Sequence, residues 1–360
     1  MKKKCWIEQF KDRITRKEKI EESCILSAEE DAFFKLTESP NTSRTLDFAV
    51  TGYFLSLADC SNPEDPVRRQ FMPTAMELNS LPYELGDPLS EAKYTITPRL
   101  IHRYSNRVVL LVTDLCAVYC RYCFRRHFTG KRKGIIGREE LNAALSYIAE
   151  NKEVEEILLS GGDPLVIADS KIGEILNSIK KKVPHIVIRI GTRVPSVLPD
   201  RITADLINIL KEYKPLWIIA QFNHPHELTC ESIQALSRFI DAGIPVLNQS
   251  VLLRGINDNA ETLAELSKLL VAARVKPYYL FQGDLARGTS HFRVPLAEGF
   301  KIVRALAEKV SGIGMPVFAV DLPGGGGKVS LFKVKIEKSE RGFFLIDKKG
   351  KKYFYPDEQK

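Results

Sequence analysis

Long hydrophobic runs are missing from this 360-residue chain. No uninterrupted apolar stretch approaches the roughly 20 residues that span a bilayer, so no membrane association is predicted. An export signal is missing too. Met1 to Arg13 carries the positive charge of a leader, but Glu8, Lys11 and Asp12 break any apolar core. The expectation is a cytoplasmic protein. Nor is there a large excess of charge: 53 Lys and Arg stand against 45 Asp and Glu, a net +8. The lysine-rich spots, Lys2 to Lys4, Lys180 to Lys182 and Lys348 to Lys352, lie far apart and read as solvated surface, so no nucleic-acid partner is expected. A disulfide framework is also lacking. Seven cysteines is an odd number; Cys5, Cys24, Cys60 and Cys230 are scattered, while three others crowd together, which suits a reduced compartment and a metal site.

What is present begins with ordinary composition, 44% hydrophobic and 27% charged, which suits a folded globular chain. From Trp6 to about Glu77 the apolar residues recur at helical spacing, as in Trp6, Phe10 and Ile14, broken by loops at Ser39 to Arg44 and Asn62 to Asp65. Leu81 to Pro98 has no periodicity and reads as a wrapping connection. Six β-branched runs then alternate with amphipathic segments, from Val108 to Val112 through Pro277 to Phe281. Such units predict parallel strands with both faces buried. Polar and glycine residues stand at the carboxyl ends of nearly every run, the pattern of a barrel mouth rather than a doubly wound sheet. A seventh run, Val317 to Val320, leads into Pro323 and four glycines. Val329 to Ile336 and Gly342 to Tyr355 then read as a terminal β-meander, with Gly350 at a hairpin turn. The fold class is thus α/β: a partial (β/α)6 barrel over residues 99–315, a helical N-terminal region over 1–98, and a glycine loop with a short β extension over 316–360.

Cys116, Cys120 and Cys123 follow the first barrel strand in a CxxxCxxC pattern. A structural zinc site wants four ligands; three thiolates on an iron-sulfur cluster leave one iron open to substrate or cofactor. Arg121, Arg125 and Arg126 beside them add positive charge, which favours thiolate. A buried helical stripe, and a zinc site completed by His127, remain as alternatives. The next strand ends in Ser160-Gly161-Gly162-Asp163, where glycines permit close approach of the backbone to a ligand.

CxxxCxxC after the first strand of a β/α barrel resembles the signature of the radical SAM superfamily. Further segments resemble the lysine 2,3-aminomutase family: Thr97 to Val108, Arg121-Tyr-Cys-Phe-Arg-Arg-His-Phe128, Asn223-His-Pro, Gln282-Gly-Asp284 and Asp321-Leu-Pro-Gly-Gly-Gly-Gly-Lys328. The resemblance implies a [4Fe-4S] cluster on the three cysteines, S-adenosylmethionine (SAM) near Gly161, Gly162, Asp163 and Gln249, and pyridoxal phosphate (PLP) in Schiff-base linkage to Lys328. It places Arg103, Tyr104, Arg107 and Arg121 around the PLP phosphate and ring. Arg125 matches the residue for the substrate carboxylate, and Asp284 and Asp321 match those for the distal ammonium of lysine. Four glycines before Lys328 would give room for a flat ring and let the loop move. A Walker loop is excluded, since Val329 follows the lysine and the first glycine is misplaced.

The implied activity is that of an isomerase interconverting L-lysine and β-lysine, with a reductant such as flavodoxin or ferredoxin as a partner. The alternatives are β-lysine formation for elongation factor P, an aminomutase acting on another amino acid, and an iron-sulfur or zinc protein that binds RNA. Fermentative relatives continue into a longer C-terminal region involved in assembly, which leaves a homo-oligomer open.

Overall fold

Seven of the aliphatic runs pair side by side in sequence order, and around them the rest of the chain is arranged. The computed structural model describes residues 4–37, 46–131 and 133–357; Lys2, Lys3 and the expected loop from Ser39 to Arg44 lie outside them. A ten-stranded sheet holds β1 (Thr95–Thr97), β2 (Leu100–Tyr104), β3 (Arg107–Thr113), β4 (Glu156–Gly161), β5 (Val187–Thr192), β6 (Leu216–Ala220), β7 (Val246–Val251), β8 (Lys276–Phe281), β9 (Val317–Leu322) and β10 (Gly327–Ser330), in that order. Strands β3 to β9 are parallel. The sheet is a partial barrel, extended by the antiparallel β1 and β2 at one edge and β10 at the other.

A helix follows each of β3 to β8: Arg138–Glu150, Asp169–Lys182, Ala204–Leu210, Cys230–Asp241, Ala260–Ala272 and Leu296–Ala307. These are the six predicted β/α units. Their spacing shows why they are helical: in the first, Leu141, Ala144, Leu145 and Ile148 form one buried stripe. Thr203, Thr229 and Asn259 start the third, fourth and fifth helices by accepting hydrogen bonds from Leu206, Ser232 and Thr262 backbone amides, which satisfies otherwise orphaned first-turn donors.

The expectation that both strand faces are buried needs correction. Burial alternates along β4 and β5. Ile157, Leu159, Ile188 and Ile190 join the core shared with the helices, whereas Leu158, Ser160, Arg189 and Gly191 line an interior cavity. The lumen is therefore left open for a ligand, and its strands carry polar residues on that side.

The N-terminal region is helical only in short pieces, Trp6–Lys11, Lys17–Glu21, Ala28–Thr37 and Gly52–Ser56. Within it Cys24 and Cys60 are joined as a disulfide, their Cα atoms 4.5 Å apart, contrary to the expectation that the scattered cysteines stay unpaired. Buried Arg68 gathers the two segments: it pairs with Glu30 and donates to the carbonyls of Ile25 and Cys60.

The connection after this region wraps the barrel as a strap. It is fastened by three buried carboxylates. Glu77 binds Arg121 and Arg126 at 2.7 and 2.8 Å, Glu84 binds Arg293 at 2.8 Å, and Glu91 binds Arg125 at 2.5 Å. Leu85 adds backbone hydrogen bonds to Leu285 and Arg287.

At the other end, β10 is not part of the terminal meander, as had been expected for Val329; it returns along β9 with Lys328 opposite Asp321. The meander is β11 (Lys335–Ser339), β12 (Gly342–Ile346) and β13 (Lys352–Pro356), and Gly350 sits in the last turn at φ +81°. Tyr355 of β13 is buried against the barrel, its hydroxyl donating to the Gly283 carbonyl at 2.6 Å. Among the described residues, no helix is long and apolar enough to cross a membrane.

Candidate functional site

A cavity of about 540 Å³ occupies the barrel lumen, reaching from the cysteine loop to Lys328. All but one of the residues given a role by the family resemblance line it: Cys116, Cys120 and Cys123; Gly161, Gly162 and Asp163; Gln249; Arg103, Tyr104 and Arg107; Arg125; Asp284, Asp321 and Lys328. The exception is Arg121. Its guanidinium is fully buried on Glu77 and on the carbonyls of Leu46 and Asp47. It fastens the strap to the cysteine loop and does not reach the lumen, so its expected place beside PLP is withdrawn.

The cysteine loop is shaped by its neighbours. Tyr119 and Arg121 donate backbone hydrogen bonds to Ala49 and Gln70, at 3.1 and 3.0 Å, and the Asp114 carboxylate collects the amides of Lys133 and Gly134. Gly161 and Gly162 press on this loop: the Gly162 amide reaches Thr113 O at 2.6 Å and the Asp163 amide reaches Leu115 O at 2.7 Å. A Cβ at either glycine would collide with those carbonyls. Their lack of side chains thus allows close contact between β4 and the loop, and both glycines also face the cavity.

Asp163 is buried and accepts from Leu165 N, Thr192 Oγ1 and Arg193 N at 3.0, 2.7 and 2.6 Å. Burial nevertheless pushes its carboxyl up. Burial likewise raises the Cys116 thiol, helped by Asp163, and the Cys123 thiol, helped by Cys120. Arg126 and Arg125 lower the Cys123 thiol, the direction expected of the flanking arginines, but burial outweighs them.

Sequence inspection missed Arg193, which leaves β5 and donates from Nη1 to Cys120 Sγ at 2.8 Å. Its position just beyond a barrel strand's carboxyl end was the available signal. No group of three His, Cys, Asp or Glu among the described residues converges on a point suited to one metal ion.

The opposite end is built around Lys328. Its backbone N–H donates to Tyr104 Oη at 2.7 Å, and its Nζ lies 4.6 and 4.3 Å from the ring centres of Tyr279 and Phe281. Burial lowers its pKa, with Asp321 opposing, which brings the amine closer to the neutral, nucleophilic form. The glycines before it are spoken for: a Cβ on Gly325, Gly326 or Gly327 would crowd Tyr94, Tyr353 or Tyr104, and Gly324, Gly325 and Gly327 have φ of +65°, +85° and +87°. The loop packs against three rings.

Arg103 is stacked on Tyr94, lies 3.7 Å from Asp321 and has a buried Nε without a partner. Arg107 covers the Tyr104 ring at 3.7 Å. An unpartnered guanidinium nitrogen near a buried lysine fits a phosphate group. Arg125 holds Glu91 through the one edge formed by Nε and Nη2, and donates from Nη1 to Ser160 Oγ at 2.9 Å. Asp284 is pushed up to about 8, first by burial and then by the Asp321 charge. Glu91, like Arg193, carried no motif that would have marked it, and Ser160 stood in the glycine motif without a role of its own.

Residues 110–267 match the radical SAM superfamily. The chain is 44% identical over 324 residues to the L-lysine 2,3-aminomutase of Clostridium subterminale, a match spanning 90% of this chain and 76% of that protein. It is 38% identical over 341 residues to a putative L-lysine 2,3-aminomutase of Aquifex aeolicus, spanning 94% and 90%. To the glutamate 2,3-aminomutase of Clostridioides difficile it is 35% identical over 324 residues, spanning 90% and 75%.

Proposed function

We infer that this chain, which belongs to the lysine 2,3-aminomutase family of the radical SAM superfamily, is an isomerase that moves the amino group of L-lysine from Cα to Cβ to give β-lysine, using a [4Fe-4S] cluster, SAM and PLP. The observation that carries the substrate is the enclosure of Asp284, Asp321 and Lys328 in the same lumen as the cysteine loop. When bound, the cluster and SAM supply a hydrogen-abstracting radical, and PLP supplies a ring that delocalises unpaired spin. Everything else is the work of side chains.

Cys116, Cys120 and Cys123 would hold the cluster and leave one iron open to SAM, for which Gly161 to Asp163 and Gln249 would be the contacts. Lys328 would carry PLP, with Arg103 and Arg107 for its phosphate and Tyr104 for its ring. Arg125 receives the substrate carboxylate through the edge that Glu91 leaves free. Asp284 and Asp321 take the distal ammonium, for which the pair is suited: an acidic group held protonated by burial and by a second carboxylate loses its proton readily to the field of an incoming cation. A glutamate side chain in the same place would add a third carboxylate to that pair. This disfavours glutamate as substrate. Tyr279 and Phe281 keep water from the Lys328 amine.

Anaerobic incubation with reductant, SAM and PLP against lysine, arginine and glutamate tests the assignment, with chromatography for β-amino acids. β-Lysine alone is expected. Turnover of glutamate but not lysine would overturn the roles of Asp284 and Asp321, and Lys328→Ala should abolish PLP absorbance while keeping iron.

A further inference from the structure

We propose that Arg193 is a positioning residue that fixes the Cys120 sulfur and sets the reduction potential of the iron-sulfur cluster. The proposal rests on the assignment of the triplet as cluster ligands. Arg193 is only 6% exposed. Its Nη1 donates to Cys120 Sγ at 2.8 Å, its Nη2 is held by Gln70 Oε1 and, at 3.2 Å, by Glu227, and its backbone N–H is held by Asp163 at 2.6 Å. The guanidinium also lies against the rings of Phe54 and Tyr122, 4.9 and 5.7 Å from their centres.

The anchors are themselves fixed. Glu227 accepts from Ser196 Oγ at 2.6 Å, from Gln70 Nε2 at 3.0 Å and from the amides of Asn223 and His224. The arginine therefore cannot swing away, and its charge meets the cluster at one chosen ligand. Among the described residues, no other charged side chain donates to a sulfur of the triplet; Arg13 donates to the Cys116 backbone carbonyl instead.

The physical consequence follows from charge. One electron from an external one-electron carrier makes the cluster more negative without a proton being taken up. A fixed cation and a hydrogen bond at a ligand sulfur stabilise that reduced state more than the oxidised one. Arg193 thus raises the potential and makes the cluster easier to reduce.

The test uses the full chain reconstituted anaerobically as Arg193→Gln and Arg193→Lys, without SAM or lysine. Iron and sulfide content should match the unsubstituted protein, while the midpoint from an electron paramagnetic resonance titration moves to more negative potential in Arg193→Gln and less far in Arg193→Lys. In the unsubstituted protein, resonance Raman spectra should show an iron–cysteine stretch that shifts between H2O and D2O; this decides the matter even if the variants fail to fold. An unchanged midpoint together with a D2O-insensitive spectrum would overturn the proposal. So would an unchanged midpoint with a raised KM for SAM, which would make Arg193 a SAM contact. Absence of iron from the unsubstituted protein would instead overturn the assignment of the triplet.

Discussion

The strap and the barrel mouth both bury carboxylates, and they treat them in opposite ways. Glu77 and Glu91 are opposed by burial, yet Arg121 with Arg126 in the one case and Arg125 in the other bring their pKa values below normal. Asp284 has no ion-pair partner in contact: burial and Asp321 push it up to about 8, against the weaker pull of Lys328 and Arg293. A carboxylate matched by a guanidinium is a fastening. A carboxylate left next to another, as the proposed function uses it, has room for a further cation.

Breaking a fastening should cost the most. Glu77→Ala leaves Arg121 and Arg126 buried without a counter-charge, and removing one partner of a buried pair costs about 3–5 kcal/mol. Urea unfolding should show that loss; a change below about 1 kcal/mol, the level of an exposed pair, would contradict the strap's role. Breaking the acidic pair should spare the fold. Asp284→Asn replaces a carboxyl that is already neutral in the empty site with an amide of the same shape, so stability should hold, while the KM for lysine increases on the order of a hundredfold, as for about 3 kcal/mol of lost charge pairing. Parallel losses of stability and affinity would erase the distinction.

The pH dependence gives a smaller effect of defined sign. With its pKa raised to about 8, Asp284 is protonated in the empty site at neutral pH and must ionise to hold an ammonium. Lysine KM should therefore fall as pH rises towards 8, by up to about tenfold per unit, and flatten above it. The slope should vanish in Asp284→Asn. Smallest is Glu91→Gln, which keeps the shape but weakens the hold on Arg125: lysine KM should rise several-fold, about 1 kcal/mol, with kcat little changed, and Glu91→Asp should recover part of it.

The same contrast explains what could be read in advance. Asp284 and Asp321 stood out because the segments Gln282-Gly-Asp284 and Asp321 to Lys328 resemble those of the lysine 2,3-aminomutase family. The β/α units were legible for a different reason: hydrophobic periods of two and 3.6 report directly on local structure. Glu77, Glu84 and Glu91 gave no such signal. Their spacing of seven has no meaning outside a helix, and their partners lie far away along the chain, so only the folded path brings them together. β1 and β2 went unrecognised because their strand character comes from pairing onto β3. The cysteine pair 24 and 60 was missed because a buried arginine, not sequence spacing, joins its segments. Arg121 misled because proximity to the triplet in sequence is not proximity to the lumen.

The three rings that close on the glycine loop come from separate parts of the chain: Tyr94 from the end of the strap, Tyr104 from β2 and Tyr353 from β13. The last of these makes the C-terminal extension a wedge behind the reacting amine. Shortening the chain there would shift the seat of Lys328 without touching a single residue that meets the substrate, so an alteration tens of residues downstream would register first as a poorly seated coenzyme.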